Sequence, residues 1–376
     1  MNLFTKQFGV AWVAAMVVAC GGVLLGQTDT YQGSIPVRPR LLVRAEHGSI
    51  DVHGKAGLTE VQWTVREANG RHRPLNETGI TATAKGDLIE IRSSSNADIS
   101  VQVPVKFDKI RLQTDYGDLT LTDVTATAEL VSDGGSLNVD HVAGQVTGTT
   151  GGGNIALHTS GAANVLSKLQ TGAGGVTIDA ADGNVIAETG GGNVVVTAVR
   201  GNVKIDDGGG NVVVRQASGT LQLETGSGNV EIGDIGGAAT LETGSGSIRL
   251  ASAKGMVKAS TGAGAIDCRQ LGSGLVAETG AGTITAEYSR GLHFQESKLQ
   301  TGTGDITVFL PDGIAAAVKL TADNPWGHTI RVDFPAIRLT STHEDGELRA
   351  EGLMNGGGPL LRVETDNGSI ALLRAK

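Results

Sequence analysis

A glycine recurs every 18 residues through the middle of the chain, and this spacing constrains the fold more than any other feature. Two of the intervals are longer, at 21 and 22 residues. The glycines of the series are Gly117, Gly135, Gly153, Gly174, Gly192, Gly210, Gly228, Gly246, Gly264, Gly282 and Gly304. A fixed short period predicts a stack of nearly identical units rather than a compact domain built around one pocket.

Apolar residues follow each glycine at the second and fourth positions, as in Val194 and Val196 or Val230 and Ile232. This period of two indicates a strand with one buried face. A helix is excluded because apolar residues do not recur at intervals of three and four. A second glycine series stands midway through the units, at Gly144, Gly183, Gly201, Gly219, Gly237 and Gly255. Each 18-residue unit therefore contains two strands.

Two strands and two alternating turns per unit predict a chain that winds back over itself. Equivalent strands would then stack in parallel, about 4.8 Å apart. The predicted fold is an all-β, single-stranded β-solenoid of the parallel β-helix or β-roll type, made of 18-residue, two-strand coils with irregular β caps. An antiparallel meander of short strand-turn units is the alternative, but it accounts less well for the regular alternation of the two turns.

Small residues are predicted to stabilise the stacked turns. Glycine there either adopts a positive φ or allows one coil to lie close against the next. Cys268 occupies a position otherwise taken by Val, Ile, Leu or Ala, which predicts a small buried apolar residue. Asn193, Asn211 and Asn229 form a column that predicts an amide ladder. A threonine column can bond turn amides of the same or the adjacent coil; it contains Thr171, Thr189, Thr225, Thr243, Thr261, Thr279 and Thr301.

The pattern divides the chain into five segments. Residues 115–305 hold the regular solenoid. The flanking segments keep the strand alternation but lose the period, so 35–114 is predicted as an N-terminal cap and 306–376 as C-terminal coils and cap. Residues 27–34 read as a short linker. The strands expected in the two caps are 41–52, 61–66, 88–92, 99–105, 306–310, 316–321, 330–334 and 360–363.

The first 26 residues predict export. Lys6 precedes an uncharged run over 8–25, which is typical of a cleaved signal peptide and also long enough for a membrane anchor. Residues 17–20 resemble a bacterial lipobox, which makes Cys20 a candidate for lipid attachment, although the apolar run continues beyond it. The predicted location is the periplasm, the outer membrane or the cell surface.

Charge excludes some partners. The formal net charge is −9 and is spread along the chain without blocks. Binding to nucleic acid needs a basic face that neutralises phosphates, so no nucleic-acid partner is expected. The sequence also shows no basic patch for an anionic membrane surface, which leaves the N-terminus or a lipidated Cys20 as the expected membrane tether.

In three features the sequence resembles a bacterial family of exported β-strand-repeat proteins. The family is known as putative adhesins and is a domain of unknown function. The three features are the repeated T-G-x-G-[NS]-[IV]-x-[VIL] units, the segment VPVKFDKIRLQT at 103–114 and the segment MNGGGPLLRVETDNGSI at 354–370. The resemblance covers nearly all of the chain beyond its leader. It implies a β-solenoid, an envelope location and no known active site, and it assigns no role to any single residue.

An acidic column precedes the turn in successive coils, and Ser260 interrupts it. A solvated outer face is the simpler interpretation. Stacked like charges repel unless they are solvated, paired or bridged by cations, so weak divalent-cation binding along the column is the alternative hypothesis. Calcium sites of the β-roll kind are not expected, because the turns carry no recurring Asp. No cofactor is predicted. The column contains Glu188, Asp206, Glu224, Glu242 and Glu278.

The two long intervals place extra residues between strands, at 154–171 and 283–301. Residues 160–168 and 289–298 are expected to bulge as surface loops. The second loop region brings together Tyr288, His293 and Phe294, in a chain with few aromatic residues. A plain insertion is the simpler interpretation, and a binding loop on a rigid scaffold is the alternative.

Enzyme motifs are not evident. The eight histidines are scattered, without metalloprotease spacing or a nucleophile elbow. The sequence therefore favours a non-enzymatic, adhesin-like interaction scaffold whose partner is a surface glycan or protein. Two alternatives stay open: a glycan-active enzyme on a parallel β-helix, and a self-assembling structural element of the envelope.

Overall fold

The fold is a stack of parallel strands along one axis. The structure is a computed structural model and describes residues 29–67, 73–291, 293–323, 327–342 and 346–375. The leader 1–26, with Cys20, lies outside these ranges. Within them every regular element is a strand except one short 3₁₀-helix at Leu75–Glu77. Each coil contributes one strand to each of two neighbouring stacks, called stack 1 and stack 2 below.

The N-terminal cap joins both stacks. The first half of β6 pairs in parallel with β2, and its second half pairs in parallel with β3, so β6 crosses from stack 1 to stack 2. Antiparallel β5 closes stack 1, and antiparallel β4 and β1 close stack 2. The strands are β1 (Asp29–Pro36), β2 (Arg40–His47), β3 (Ile50–Gly54), β4 (Glu60–Glu67), β5 (Ile80–Lys85), β6 (Leu88–Val103), β7 (Lys106–Thr114) and β8 (Leu119–Ser132).

The regular region repeats one coil. Stack 2 contains β9 (Leu137–Ala143), β11 (Ile155–Ser160), β13 (Val176–Ala181), β15 (Val194–Val199), β17 (Val212–Ala217), β19 (Val230–Ile235), β21 (Ile248–Ala253), β23 (Ile266–Leu271), β25 (Ile284–Tyr288) and β27 (Ile306–Leu310). Stack 1 contains β10 (Val146–Thr150), β12 (Leu166–Thr171), β14 (Asn184–Thr189), β16 (Val203–Asp207), β18 (Leu221–Thr225), β20 (Ala239–Thr243), β22 (Val257–Ala263), β24 (Leu275–Ala281) and β26 (Ser297–Thr303).

The pairing in both stacks is parallel. Val185 lies opposite Val203, and Val194 lies opposite Val212, one repeat further along the chain in each case. The predicted β-solenoid is therefore confirmed, and the antiparallel meander is wrong for this region. Its interior is a continuous file of apolar side chains, mostly Val, Ile, Leu and Ala, and the alternating residues Val203, Ile205 and Val212 are at most 2 % exposed.

The C-terminal coils do not follow chain order. The last coil, β32 and β33, lies between the coil of β26 and β27 and the coil of β28 and β29. Antiparallel β31 and β30 then close stack 1. The strands are β28 (Ala316–Ala322), β29 (Ile330–Val332), β30 (Ile337–Thr342), β31 (Glu347–Met354), β32 (Leu360–Asn367) and β33 (Ile370–Arg374).

Several local predictions need correction. The predicted linker 27–34 is already strand from Asp29 onward, because β1 pairs with β4. The first insertion is shorter than 160–168: Ser160 ends β11, β12 begins at Leu166, and the loop is 161–165. In the second insertion, Tyr288 belongs to β25 and is 1 % exposed, so it lies in the core and not in a projecting loop. The ring stands at an inward-facing position at the end of the strand, so it fills space in the core. At a loop position it would project into water.

The principal glycines allow the backbones of adjacent coils to touch. A Cβ atom on any of them would lie 1.8–2.4 Å from the carbonyl oxygen of the matching glycine in the adjacent coil, closer than atoms can approach. The last five, from Gly228 to Gly304, also have φ between 117° and 155°, a region that favours glycine. Close approach is therefore common to the whole series, and positive φ is confined to its C-terminal part.

Polar side chains lock the same turns. Thr189 donates its hydroxyl proton to the carbonyl oxygen of Gly174 in the preceding coil at 2.8 Å and accepts the amide of Gly192 at 3.2 Å. The predicted bond to an amide of the same coil is thus confirmed, whereas the partner in the adjacent coil is a carbonyl oxygen. The asparagine column is present, but its bonds join side chain to backbone: the side-chain oxygen of Asn193 accepts the amide of Asn211 at 2.9 Å. An Asn side chain in this turn replaces a backbone acceptor for the next coil.

Cys268 is fully buried, as predicted. Burial among apolar side chains disfavours the thiolate and raises the pKa of this thiol to about 12. The residue therefore packs as a small apolar side chain and is not a reactive thiol at neutral pH.

Two neighbouring glycines test the contact between coils. A Cβ at Gly192 would lie 2.1 Å from the Gly174 oxygen, whereas a Cβ at Gly191 meets nothing within 4 Å. We expect Gly192→Ala to lower the free energy of unfolding by about 2–4 kcal/mol, and Gly191→Ala to change it by less than about 0.5 kcal/mol. Urea denaturation of both variants measures this. Equal effects of the two substitutions would contradict the contact.

Candidate functional site

All five residues of the predicted acidic column lie on the outer face of stack 1. The register places Glu188, Asp206, Glu224 and Glu242 directly opposite one another in four successive coils. Ser260 follows, and Glu278 stands one coil further on. At parallel-strand spacing, neighbouring members are about 4.8 Å apart. The structure thus brings these residues together in single file.

The file forms one wall of an open groove of about 990 Å³. The groove reaches from Thr149 to Ser260, and Glu278 lies beyond it. Its floor is made by the turn glycines that follow the threonine column, where the absence of side chains leaves room. These are Gly172, Gly190, Gly208, Gly226 and Gly244. The groove exists because the same turn repeats in every coil.

Lysine side chains neutralise part of the acidic file. Lys168 contacts Glu188 at 3.1 Å, Lys204 contacts Asp206 at 3.3 Å, and Lys298 contacts Glu278 at 2.7 Å. Two acids in the middle differ. Glu224 and Glu242 are exposed and form no ion pair within the described ranges.

The middle of the groove is therefore its most negative part. Glu224 and Glu242 face solvent beside each other, and a cation placed between them would relieve their repulsion. Among the described residues, no group of three or more His, Cys, Asp or Glu side chains is arranged to hold a metal ion. Divalent-cation binding along the acidic column remains a prediction, with weak affinity and a cation that stays solvated. The column is Glu188, Asp206, Glu224, Glu242 and Glu278.

Asp207 interrupts the threonine column beneath the groove. It takes the place that Thr189 and Thr225 occupy in the adjacent coils, and it is 6 % exposed. Its carboxylate accepts the amide of Gly209 at 3.1 Å and faces the Thr225 hydroxyl at 3.4 Å. Burial raises the pKa of this carboxyl above its ordinary 3.8, against these hydrogen bonds. A carboxylate at this position therefore destabilises the fold, whereas a threonine would complete the ladder of hydrogen bonds between coils.

Stack 2 carries a cluster of histidines and aspartates that the sequence did not reveal. Asp123 lies 3.4 Å from His53 and 3.9 Å from His141, and His141 also lies 3.0 Å from Asp140. Asp123 and His141 both have left-handed φ, at 58° and 49°. These side chains come from different coils, so their scattered positions conceal the cluster. The one available signal is that Asp123 and His141 are a single repeat apart.

Comparison with known families agrees with this architecture. Residues 76–218 match the model of the family Toastrack DUF4097. The matched segment is therefore similar to a Toastrack domain, a domain of unknown function, over less than half of the chain. This match covers the N-terminal cap from the 3₁₀-helix onward and the first regular coils, up to the end of β17. The resemblance predicted from the sequence is confirmed at this level.

Solved structures that match the chain do so at low sequence identity and low TM-score. A putative adhesin from Bacteroides fragilis is 16 % identical, with 70 % of this chain and 97 % of that chain covered and a TM-score of 0.22. A putative adhesin from Parabacteroides distasonis is 9 % identical, with 93 % and 98 % covered and a TM-score of 0.22. A putative cell adhesion protein from Clostridium sporogenes is 9 % identical, with 92 % and 100 % covered and a TM-score of 0.16.

No curated protein matches the chain. Within the described ranges, no helix has the length and hydropathy needed to cross a membrane.

Calcium titration tests the divalent hypothesis. We expect Ca²⁺ to bind the wild-type groove with a Kd of about 1 mM, because a single file of exposed carboxylates offers few ligands per ion. The double variant Glu224→Gln/Glu242→Gln should lose most of the heat measured by calorimetry. Glu231→Gln, on the outer face of stack 2, is the control and should leave the heat unchanged. The absence of both heat and a rise in melting temperature with wild-type protein would dispose of the hypothesis.

Asp207→Thr is expected to stabilise the solenoid in a pH-dependent way. A group whose pKa is raised on folding favours the folded state at low pH, and this contribution is lost as pH rises through the folded pKa. The advantage of the threonine variant should therefore be smallest below pH 3.8, grow as pH rises above that value and then level off. Urea denaturation across this pH range measures it. A constant difference would mean that the carboxylate charge has no part in the effect.

Proposed function

We propose that this protein is a non-enzymatic, exported interaction scaffold of the bacterial cell envelope, and that it binds an extended basic segment of a protein ligand along the acidic groove. The observation that carries the proposal is the central pair Glu224 and Glu242, which are exposed and form no ion pair with any described residue, in a groove that is otherwise partly neutralised. A cationic side chain from a ligand would supply the missing partner at this point.

The shape of the groove suits a linear ligand. It crosses seven coils, from Thr149 to Ser260, which at strand spacing gives a length of about 30 Å. An extended peptide lies along such a channel and presents side chains to it at regular intervals. The floor and walls belong to hydrogen-bonded turns and strands, so little conformational freedom is lost when a ligand binds.

The arrangement of carboxylates supports binding over catalysis. Glycoside hydrolysis uses two carboxyl groups that flank the scissile bond from different sides. Here the carboxylates stand in one row on one stack, with Glu188 and Asp206 held by lysines. Envelope location rests on the predicted leader 1–26 and on the adhesin-like family resemblance. Attachment through Cys20 remains part of this proposal.

A charge-matched pair of double variants tests the groove. A fluorescent decalysine peptide should bind wild-type protein at low ionic strength, and Glu224→Gln/Glu242→Gln should weaken that binding about tenfold, which corresponds to about 1.4 kcal/mol. The control Glu231→Gln/Glu287→Gln makes the same change in net charge on the outer face of stack 2. Fluorescence anisotropy gives both dissociation constants.

Two outcomes would count against the proposed function. Equal weakening by both double variants would show that decalysine responds to net charge and not to the groove. Release of reducing ends from a panel of acidic and neutral polysaccharides, abolished by substitutions in the groove, would establish an enzyme instead of a scaffold.

A further inference from the structure

A second, separate pocket lies where the long insertion meets the C-terminal coils. It is lined by residues 290–291 and 293–294 of the insertion, by the loop 311–315 between β27 and β28, and by Ala375. The volume of this open pocket is about 710 Å³, within the usual range for small-molecule sites. The two loops lie close together because of the tertiary fold, and not because they occupy equivalent positions of the repeat.

One side of the pocket is apolar and anchored. Phe294 packs against the buried ring of Tyr288, with ring centroids 5.5 Å apart and planes inclined by 62°. Tyr288 is 1 % exposed, so Phe294 rests on the core and is itself only partly buried. Pro311 and Ile314, both buried, continue this wall. An aromatic ring held in this way offers a fixed platform to a ligand.

The polar side of the pocket carries an unpaired cation. Arg290 is exposed and forms no ion pair with any described residue. The acid in the opposite wall, Asp312, is already engaged by Arg374 at 2.9 Å, and Arg374 also lies 5.4 Å from the Phe334 ring. His293 adds a further polar side chain, on a backbone whose amide donates to the Gly272 oxygen at 3.3 Å. In a chain of net charge −9, this pocket is locally suited to an anion.

We propose that this pocket binds a carboxylate-bearing sugar, such as a uronic acid residue of an acidic glycan. The apolar face of the sugar ring would lie on Phe294, and its carboxylate would pair with Arg290, whose planar guanidinium fits a carboxylate with two hydrogen bonds. His293 would exchange hydrogen bonds with ring hydroxyls. The site is independent of the acidic groove, which has the opposite charge.

Calorimetry with three probes tests the assignment. Trigalacturonic acid should bind the wild-type protein, whereas galactotriose, its neutral counterpart, should bind at least tenfold more weakly. Inorganic phosphate should compete only weakly, because it lacks the ring. Arg290→Gln and Phe294→Leu should each weaken trigalacturonate binding about tenfold. Arg249→Gln, an exposed arginine on stack 2 without a described ion pair, should leave it unchanged.

The outcomes that overturn the proposal are distinct. Equal affinity for the acidic and neutral trisaccharides, or full binding by Arg290→Gln, would exclude carboxylate recognition. Phosphate that competes as strongly as trigalacturonate would indicate a simple anion site. The Glu224→Gln/Glu242→Gln variant should keep its trigalacturonate binding, so that failure of the groove and failure of this pocket are told apart.

Discussion

Contact between the backbones of adjacent coils at the turn glycines is the constraint on which the rest of the structure depends. The matching glycines approach until no Cβ fits between them, and this approach allows the strands of each stack to pair in parallel. One coil alone cannot bury enough apolar surface to offset the entropy of ordering it, so its stability comes from its neighbours. Thr189 and Asn193 then fix the spacing by bonding to the coils before and after them.

Stacking also determines what kinds of site the protein can form. Any outward residue that recurs in the repeat becomes a row, which is how Glu188, Asp206, Glu224 and Glu242 come to line one groove. Rows suit extended ligands. A pocket with walls on several sides needs a break in the repeat, and the insertion that carries Arg290 and Phe294 provides one. The two proposed sites therefore have different origins as well as opposite charges.

The sequence predicted what the repeat controls. The repeat predicted the parallel stack, the threonine bond to an amide of its own turn and the common face of the acidic column. The sequence did not predict β1. It also did not predict that the last coil stacks before the coil of β28 and β29, out of chain order. Both lie in the caps, which lose the period that reveals register. Tyr288 was misplaced for a related reason: at the edge of an insertion, alternation alone does not decide whether a ring faces the core. The cluster of His53, Asp123 and His141, and the pocket between two loops, depend on contacts between distant parts of the chain.

A distance between spin labels tests the stacking most directly. Labels attached at Lys204→Cys and Lys298→Cys, in a variant without other cysteines, lie on the same outer column of stack 1. Five coil steps separate them, which predicts about 24 Å between their backbones. A meander would place every intervening strand in one row and roughly double this distance, to about 48 Å. A distribution centred near the longer value would contradict the coiled stack and every site derived from it.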